Sequence, residues 1–185
     1  LQLPTLIDRP DLKFKPFTPQ YPPFLRKGLK IFEYLKNEDL VLHHPYECFD
    51  VVAEFINSAA DDPSVVAIFQ TIYRTGSTSG LMRSLINAVN KGKEVTVIVE
   101  LMARFDEETN INWASKLEEI GAHVVFGVVG NKTHAKMCLV VRKEENRLTR
   151  YCHLGTGNYH PKTARLYTDF SLLTNDPVIC GEVHE

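Results

Sequence analysis

Apolar positions in the middle of the chain follow two alternating patterns. Continuous apolar runs at 65–69, 95–99 and 124–126 are typical of strands that are buried on both faces of a parallel sheet. Between these runs, apolar residues recur every three or four positions, which predicts amphipathic helices that end at glycines. The helical residues are Leu81, Leu85, Ile86 and Val89 before Gly92, and Trp113, Leu117 and Ile120 before Gly121. This βαβαβ alternation predicts an α/β fold.

The first third of the chain divides into a proline-rich segment and a regular one. Six of the ten prolines fall within residues 1–24, which predicts an extended linker that arrives from a preceding domain. One domain is predicted over 25–185, and it opens with a short helix at 29–35 and a short strand at 40–42. Asp50 is a suitable N-cap for the next helix. The apolar face of that helix is Val52, Phe55, Ile56 and Ala59.

The last third of the chain has the pattern of paired antiparallel strands. Apolar runs at 137–141 and 148–154 flank a polar turn, which predicts a hairpin, and 166–173 predicts one more strand. The predicted architecture is therefore a mixed, mostly parallel sheet that is flanked by helices and carries a C-terminal hairpin.

Composition excludes some classes of function. The net charge is −2, so there is no global basic field for nucleic acid, and no nucleic-acid partner is expected. No apolar run approaches the roughly 20 residues that a transmembrane helix needs. The four cysteines lack metal-binding or disulfide-framework spacing, which favours reduced thiols and a cytoplasmic protein.

A histidine, a lysine and an asparagine form the first set of candidate catalytic residues. His134 and Lys136 lie two residues apart where an apolar run begins, so both side chains should share one face of a strand. Asn158 ends a glycine-rich segment, 155–158, that follows the next apolar run. An imidazole can attack phosphorus while an ammonium group and an amide hold its oxygens, and the three residues therefore indicate phosphoryl chemistry.

Two arginines extend this set. Arg74, Arg104 and His134 each follow one of the three predicted parallel strands, whose carboxyl ends meet at one edge of a sheet, where ligands bind. Guanidinium groups bind phosphate oxygens in a bidentate manner, although each arginine alone also fits a surface salt bridge. Tyr167 could stack on a base, or it could lie in the core of its predicted strand.

Five segments taken together resemble one enzyme family. The segments are His43-His44-Pro45-Tyr46-Glu47, residues 70–75, residues 99–108, Lys132-Thr133-His134-Ala135-Lys136, and residues 153–159. They resemble bacterial polyphosphate kinases of the large, histidine-phosphorylating type, and the similarity runs from about residue 25 to the C-terminus. The resemblance implies that 25–185 is the first of two C-terminal domains, each similar to half of a phospholipase D.

The resemblance also implies roles for the candidate residues. His134 matches the histidine that becomes phosphorylated, with Lys136 beside it. Arg74 and Arg104 match arginines at a magnesium and phosphate site. Because guanidinium has no lone pair to give a metal, we interpret both as phosphate clamps beside Mg²⁺, whose direct protein ligands are not specified. Tyr167 matches a position that contacts the nucleotide.

The function predicted in this way is reversible transfer of the γ-phosphoryl group of ATP to inorganic polyphosphate through a phosphohistidine at His134. Mg²⁺ is the expected cofactor, and ATP, ADP and polyphosphate are the expected substrates. The second catalytic domain of the same chain is an expected partner, as is a further copy in a full-length homo-oligomer. The predicted location is the bacterial cytoplasm, with peripheral membrane contact left open. The fragment alone is expected to be inactive, because half of the site is missing.

Two alternatives stay open. A phospholipase D-like phosphodiesterase or nuclease could use the same histidine. The signature of that family has an aspartate five residues after the lysine, where this chain has Val141, and this departure disfavours hydrolysis. The isolated domain could also be a non-catalytic module that binds polyphosphate or mediates assembly.

Overall fold

The central feature of the fold is a seven-stranded mixed sheet, seen in a computed structural model that describes residues 6–15, 17–23, 25, 30–74, 79–104, 106–127 and 130–185. The strands in the described residues are β1 (Leu40–His44), β2 (Val65–Ile72), β3 (Glu94–Val99), β4 (His123–Phe126), β5 (Lys136–Glu144), β6 (Arg147–Gly155) and β7 (Asp169–Thr174). The helices there are α1 (Ile31–Leu35), α2 (Asp50–Asp61), α3 (Gly80–Asn90), α4 (Glu107–Glu119) and α5 (Pro177–His184). Two short 3₁₀ turns, Pro10–Leu12 and Thr163–Arg165, complete the set.

The strand order is β1-β7-β6-β5-β2-β3-β4. β2, β3 and β4 form the predicted parallel βαβαβ unit, and β5 and β6 form the predicted hairpin. The expectation of a mostly parallel sheet is wrong, because four of the six strand pairs are antiparallel. The hairpin pairs antiparallel with the free edge of β2, β7 pairs antiparallel with β6, and β1 from the start of the domain pairs antiparallel with β7. The coarser prediction, a mixed α/β fold, is confirmed.

The core lies on both faces of this sheet. On β5, Leu139 and Val140 point to opposite faces, and they belong to two separate apolar clusters. The larger cluster includes the predicted apolar face of α2, of which Phe55 is fully buried, together with Leu85 of α3. The smaller cluster packs α5 on β5 and β6 through Cys180. Helices on both faces hold the sheet rigid, so the side chains at its edges have a fixed frame.

Three predicted boundaries differ from those observed. The first helix begins at Ile31, and residues 26–29 lie outside the described part of the chain. The predicted strand at 166–173 begins only at Asp169, because residues 163–165 form a 3₁₀ turn. Part of the predicted linker lies against the domain, since Gln20 pairs with Glu47. Residues 1–5, 16 and 24 of that linker are not described.

In the described part of the chain, no helix has the length and apolar character required to cross a bilayer.

Candidate active site

The candidate site is the edge of the sheet where β2, β3 and β4 end and β5 begins. As the sequence predicts, Arg74, Arg104 and His134 follow the three parallel strands at this edge. Arg74 joins two of the loops, because its Nη2 donates to the backbone oxygen of Arg104 at 2.9 Å. Its Nε also lies 3.1 Å from Oδ2 of Asp106, at the start of α4. The two arginines therefore lie in one connected stretch of surface.

His134 and Lys136 are in direct contact, as their spacing predicts. The Lys136 Nζ lies 3.0 Å from each ring nitrogen of His134, and it donates to the His134 backbone oxygen at 2.6 Å. The edge of the Tyr73 ring packs against His134 with 4.7 Å between ring centroids. The same Tyr73 ring lies 5.1 Å from the Lys136 ammonium group, which is a cation–π distance. Lys136 is buried, whereas His134 is exposed and accessible to a substrate.

The surroundings of His134 favour its neutral form. Partial burial and the positive charges of Lys136, Lys132 and Arg74 lower the pKa of His134 below its ordinary value of 6.5. A neutral imidazole has a free lone pair at neutral pH and can act as a nucleophile. Burial also lowers the pKa of Lys136, while the nearby charge of Asp169 acts in the opposite direction.

Asn158 belongs to the loop that follows β6. This loop lies beside His134 and Lys136, because Gly155 pairs with Lys136 on the neighbouring strand. The Asn158 Oδ1 is buried and has no hydrogen-bond partner among the described residues. A side chain at Gly157 would bring its Cβ within 2.5 Å of Asp169 Oδ2, so the loop can approach β7 only with glycine at this position. Close packing against Asp169 therefore explains why glycine stands at position 157.

Tyr167 lies in the turn between the 3₁₀ segment and β7. Its side chain is 63% exposed, so the alternative of a core tyrosine in a strand is wrong. The backbone N–H of Tyr167 donates to the Thr163 oxygen at 3.0 Å. Since β7 begins two residues later, this turn lies at the same edge of the sheet as the other candidates. Among the described residues, no contact joins the Tyr167 ring to His134 or Lys136.

Sequence reasoning missed four residues at this edge: Tyr73, Glu100, Asn110 and Asp169. Glu100 is buried, and its two carboxylate oxygens accept backbone N–H groups from Met102 at 2.7 Å and Thr133 at 2.6 Å. Asp169 accepts a hydrogen bond from the Thr156 hydroxyl at 2.9 Å. The available signal was position, because Tyr73 and Glu100 directly follow buried strands. Most of their partners, such as Thr133 and His134, are distant in sequence and carry no local pattern.

The described residues do not form a metal site by themselves. No group of three or more histidine, cysteine, aspartate or glutamate side chains in them could hold an ion. Near Arg74, the carboxylate of Asp106 is already held in an ion pair. A protein cage for Mg²⁺ therefore does not fit the described part of this edge.

Comparisons with known proteins agree with this fold. The family model described as "Polyphosphate kinase C-terminal domain 1" matches residues 30–185. The curated polyphosphate kinase of Burkholderia multivorans is 61% identical over all of this chain, which spans only 27% of that relative. The crystal structure of polyphosphate kinase from Porphyromonas gingivalis superposes with a TM-score of 0.81 at 33% identity. That match covers 95% of this chain and 29% of the other.

A more distant structural neighbour defines the fold alone. Nuc from Salmonella typhimurium, a phospholipase D family member, matches with a TM-score of 0.59 at 17% identity. The match covers 79% of this chain and 88% of Nuc. The predicted phospholipase D-like fold is therefore confirmed.

Proposed function

Because this chain belongs to the polyphosphate kinase family, we propose that its parent enzyme transfers the γ-phosphoryl group of ATP reversibly to inorganic polyphosphate. The intermediate is a phosphohistidine at His134. The observation that carries this proposal is an exposed, neutral imidazole in contact with the ammonium group of Lys136. The chain spans only 27% of a matched relative, so the proposal concerns the full-length enzyme.

In the proposed reaction, a ring nitrogen of His134 attacks the γ-phosphorus and the bond to the bridging oxygen of ADP breaks. A P–N bond forms and ADP leaves. The terminal oxygen of polyphosphate then attacks the same phosphorus, so that a P–O bond forms, the P–N bond breaks and the His134 imidazole is regenerated. Lys136, Arg74 and Arg104 neutralise charge on the phosphoryl oxygens, which is the main requirement of phosphoryl transfer. Asn158 offers an amide N–H to one of these oxygens.

Magnesium and the nucleotide enter this proposal together. Because the described residues form no cage for a metal, Mg²⁺ arrives bound to the phosphates of ATP, as part of the substrate. Arg74 and Arg104 then hold phosphate oxygens beside it. Tyr167 is exposed enough for its ring to stack on the base. The second catalytic domain and the homo-oligomer stay predictions, as does inactivity of the isolated chain.

The test is labelling of the full-length parent with γ-³²P-ATP and Mg²⁺. The wild type should acquire a label that is labile in acid and stable in alkali, and His134→Ala should acquire none. The matched control is His123→Ala, since His123 is exposed at the far end of β4. This control should label like the wild type. Full labelling of His134→Ala would contradict the proposal.

A phosphodiesterase is the competing function, because Nuc shares the fold. Val141 stands where the phospholipase D signature has an aspartate, and it is buried within β5 with 7% exposure. ATP-independent hydrolysis of bis(p-nitrophenyl) phosphate by the full-length enzyme, lost in His134→Ala, would support this competitor. The third possibility, a module that only binds polyphosphate, predicts that polyphosphate raises the melting temperature although no label forms.

A further inference from the structure

Glu100 is a buried carboxylate at the end of β3, and it is 3% exposed. All of its polar groups have partners. Its backbone N–H donates to the Ile72 oxygen at 2.9 Å, and its backbone oxygen accepts from Asn110 Nδ2 at 2.8 Å. Oε1 accepts from the Met102 N–H at 2.7 Å, and Oε2 accepts from the Thr133 N–H at 2.6 Å.

These contacts reach the three loops that carry the candidate residues. Thr133 immediately precedes His134, and Met102 lies two residues before Arg104. Asn110 extends the connection to the third loop, because its Nδ2 also donates to the backbone oxygen of Tyr73, next to Arg74, at 3.0 Å. The Glu100 carboxylate therefore joins its own loop to the His134 loop, and the Glu100 backbone oxygen joins both to the Arg74 loop through Asn110.

Both carboxylate oxygens of Glu100 face backbone N–H groups rather than the surface, so the side chain does not contact substrate. A buried carboxylate is stable only when hydrogen bonds replace its hydration. Here the replacement comes from the His134 loop and the Arg104 loop. Neither loop can move without leaving a carboxylate oxygen unpaired, and the charge therefore restrains both.

We propose that Glu100 is a positioning residue that fixes His134 relative to Arg104 for phosphoryl transfer. The kinetic test of this inference rests on the proposed function, whereas the hydrogen bonds of Glu100 to the two loops do not depend on it. It predicts a graded response. Glu100→Gln has nearly the same shape but keeps only one acceptor oxygen, so one loop is released. Glu100→Ala releases both loops.

The kinetic test measures single-turnover formation of phosphohistidine in the full-length enzyme across ATP concentrations. Glu100→Gln should lower the maximal rate about tenfold and Glu100→Ala about a hundredfold, as expected for misplaced reacting groups. The ATP concentration at half-maximal rate should change by less than about threefold, because neither variant removes a phosphate-binding side chain. The matched control is Glu144→Gln at the opposite end of the sheet, where Glu144 accepts from the Tyr151 hydroxyl at 2.9 Å. This control should lose thermal stability and keep its rate.

A second readout does not depend on catalysis. The rate at which diethyl pyrocarbonate modifies His134 across a pH series reports the pKa of that imidazole. Release of the loop should expose His134 to more water and move its pKa upward in Glu100→Gln, because burial is the largest cause of the lowered value, and Glu144→Gln should leave it unchanged. The proposal is overturned if Glu100→Gln matches the wild type in rate and in His134 reactivity, or if both variants lose rate in proportion to stability. A wild type that shows no phosphohistidine would refute the proposed function, and the His134 reactivity would then decide the positioning role.

Discussion

Both ends of the central sheet carry many charged side chains. At the end where β5 finishes, here called the paired end, carboxylates neutralise the cations more completely than at the end where β5 begins. Where β5 ends, the Arg142 Nε lies 2.7 Å from Asp62 Oδ2, and its guanidinium also contacts Glu144. Where β5 begins, the Lys136 ammonium group instead contacts His134 at 3.0 Å. At that second end, partial burial and the neighbouring cations lower the pKa of His134.

This difference indicates that the charges at the paired end stabilise the fold, whereas the charges near His134 favour an anionic ligand. At the paired end, attraction between fixed groups is complete within the folded chain and contributes to stability. At the other end, burial and repulsion from nearby cations lower the pKa of both His134 and Lys136. An anionic ligand such as a phosphoryl group would relieve this repulsion. Substitutions at the first end should therefore affect folding, and substitutions at the second should affect chemistry.

The largest effect is expected for Lys136→Met in the full-length enzyme. Loss of the ammonium group removes the cation nearest to His134, and the rate of phosphohistidine formation should fall by about 10²–10³-fold. Thermal stability should be maintained, because burial already disfavours the charged form of Lys136. Single-turnover labelling measures the rate. Lys36→Met, at the paired end, should keep the wild-type rate, and a Lys136→Met rate within threefold of wild type would contradict the comparison.

Arg142→Met tests the paired end. It leaves two partly buried carboxylates, Asp62 and Glu144, without their guanidinium partner. It also removes a cation–π contact with Phe32, whose ring centroid lies 5.5 Å from the guanidinium carbon. The free energy of unfolding of this chain, measured in urea, should fall by about 3 kcal/mol. In the full-length enzyme, the labelling rate below the melting temperature should match the wild type. A selective loss of rate would show that the two ends are not separate in function.

Local patterns were sufficient to predict four of the five helices in the described residues, the parallel unit and the placement of three candidate side chains, whereas the C-terminal helix α5 was not predicted. Arg74, Arg104 and His134 share an edge because parallel strands end together, and that rule needs no knowledge of the loops. The contact between His134 and Lys136 follows from strand periodicity in the same way. Their catalytic roles stay predictions.

Long-range choices could not be predicted. The apolar runs of β5 and β6 do not specify which edge of the parallel unit the hairpin joins, and so the balance of parallel and antiparallel pairs was missed. Tyr167 was placed in a strand because Leu166 and Tyr167 continue the apolar pattern of residues 170–173, although the strand itself begins only at Asp169. Glu100 received no role, since its partners Met102 and Thr133 are recognisable only when the loops are folded together.

His153 tests whether burial alone keeps a histidine side chain neutral near the candidate active site. It lies on β6 with 1% exposure, and its Nδ1 is 2.6 Å from the Tyr159 hydroxyl. Burial, with a smaller contribution from the nearby His44, lowers its pKa to about 3. In the unfolded chain, the pKa of His153 is about 6.5. Between about pH 3 and pH 6.5, the unfolded chain therefore binds a proton at His153 that the folded chain does not bind. Stability from His153 is complete above pH 6.5 and is lost as the pH falls toward 3.

The corresponding prediction concerns His153→Gln in this chain. Between pH 6.5 and 5, the wild type should lose about 2 kcal/mol more unfolding free energy than the variant, at about 1.4 kcal/mol per pH unit. Urea unfolding at several pH values measures this difference. His123→Gln is the control, because His123 is exposed, and its pH dependence should follow the wild type. Parallel curves for His153→Gln and the wild type would show that His153 is protonated in the folded chain.

The smallest effect is expected for Lys132→Gln, which changes only an exposed charge. After burial and Lys136, Lys132 is the next cause of the lowered pKa of His134, because a nearby cation disfavours the imidazolium form. Removal of this cation should raise the pKa of His134, so the imidazole is protonated at higher pH. The acidic limb of phosphohistidine formation in the full-length enzyme should then move to higher pH, while the rate at pH 8 changes by less than about twofold. The shift should shrink at high salt, since exposed charges are screened within about 10 Å at 0.1 M. Lys143→Gln, an exposed change at the paired end, should leave the profile in place. A limb that stays fixed or moves to lower pH in Lys132→Gln would mean that the cations around His134 do not control its protonation.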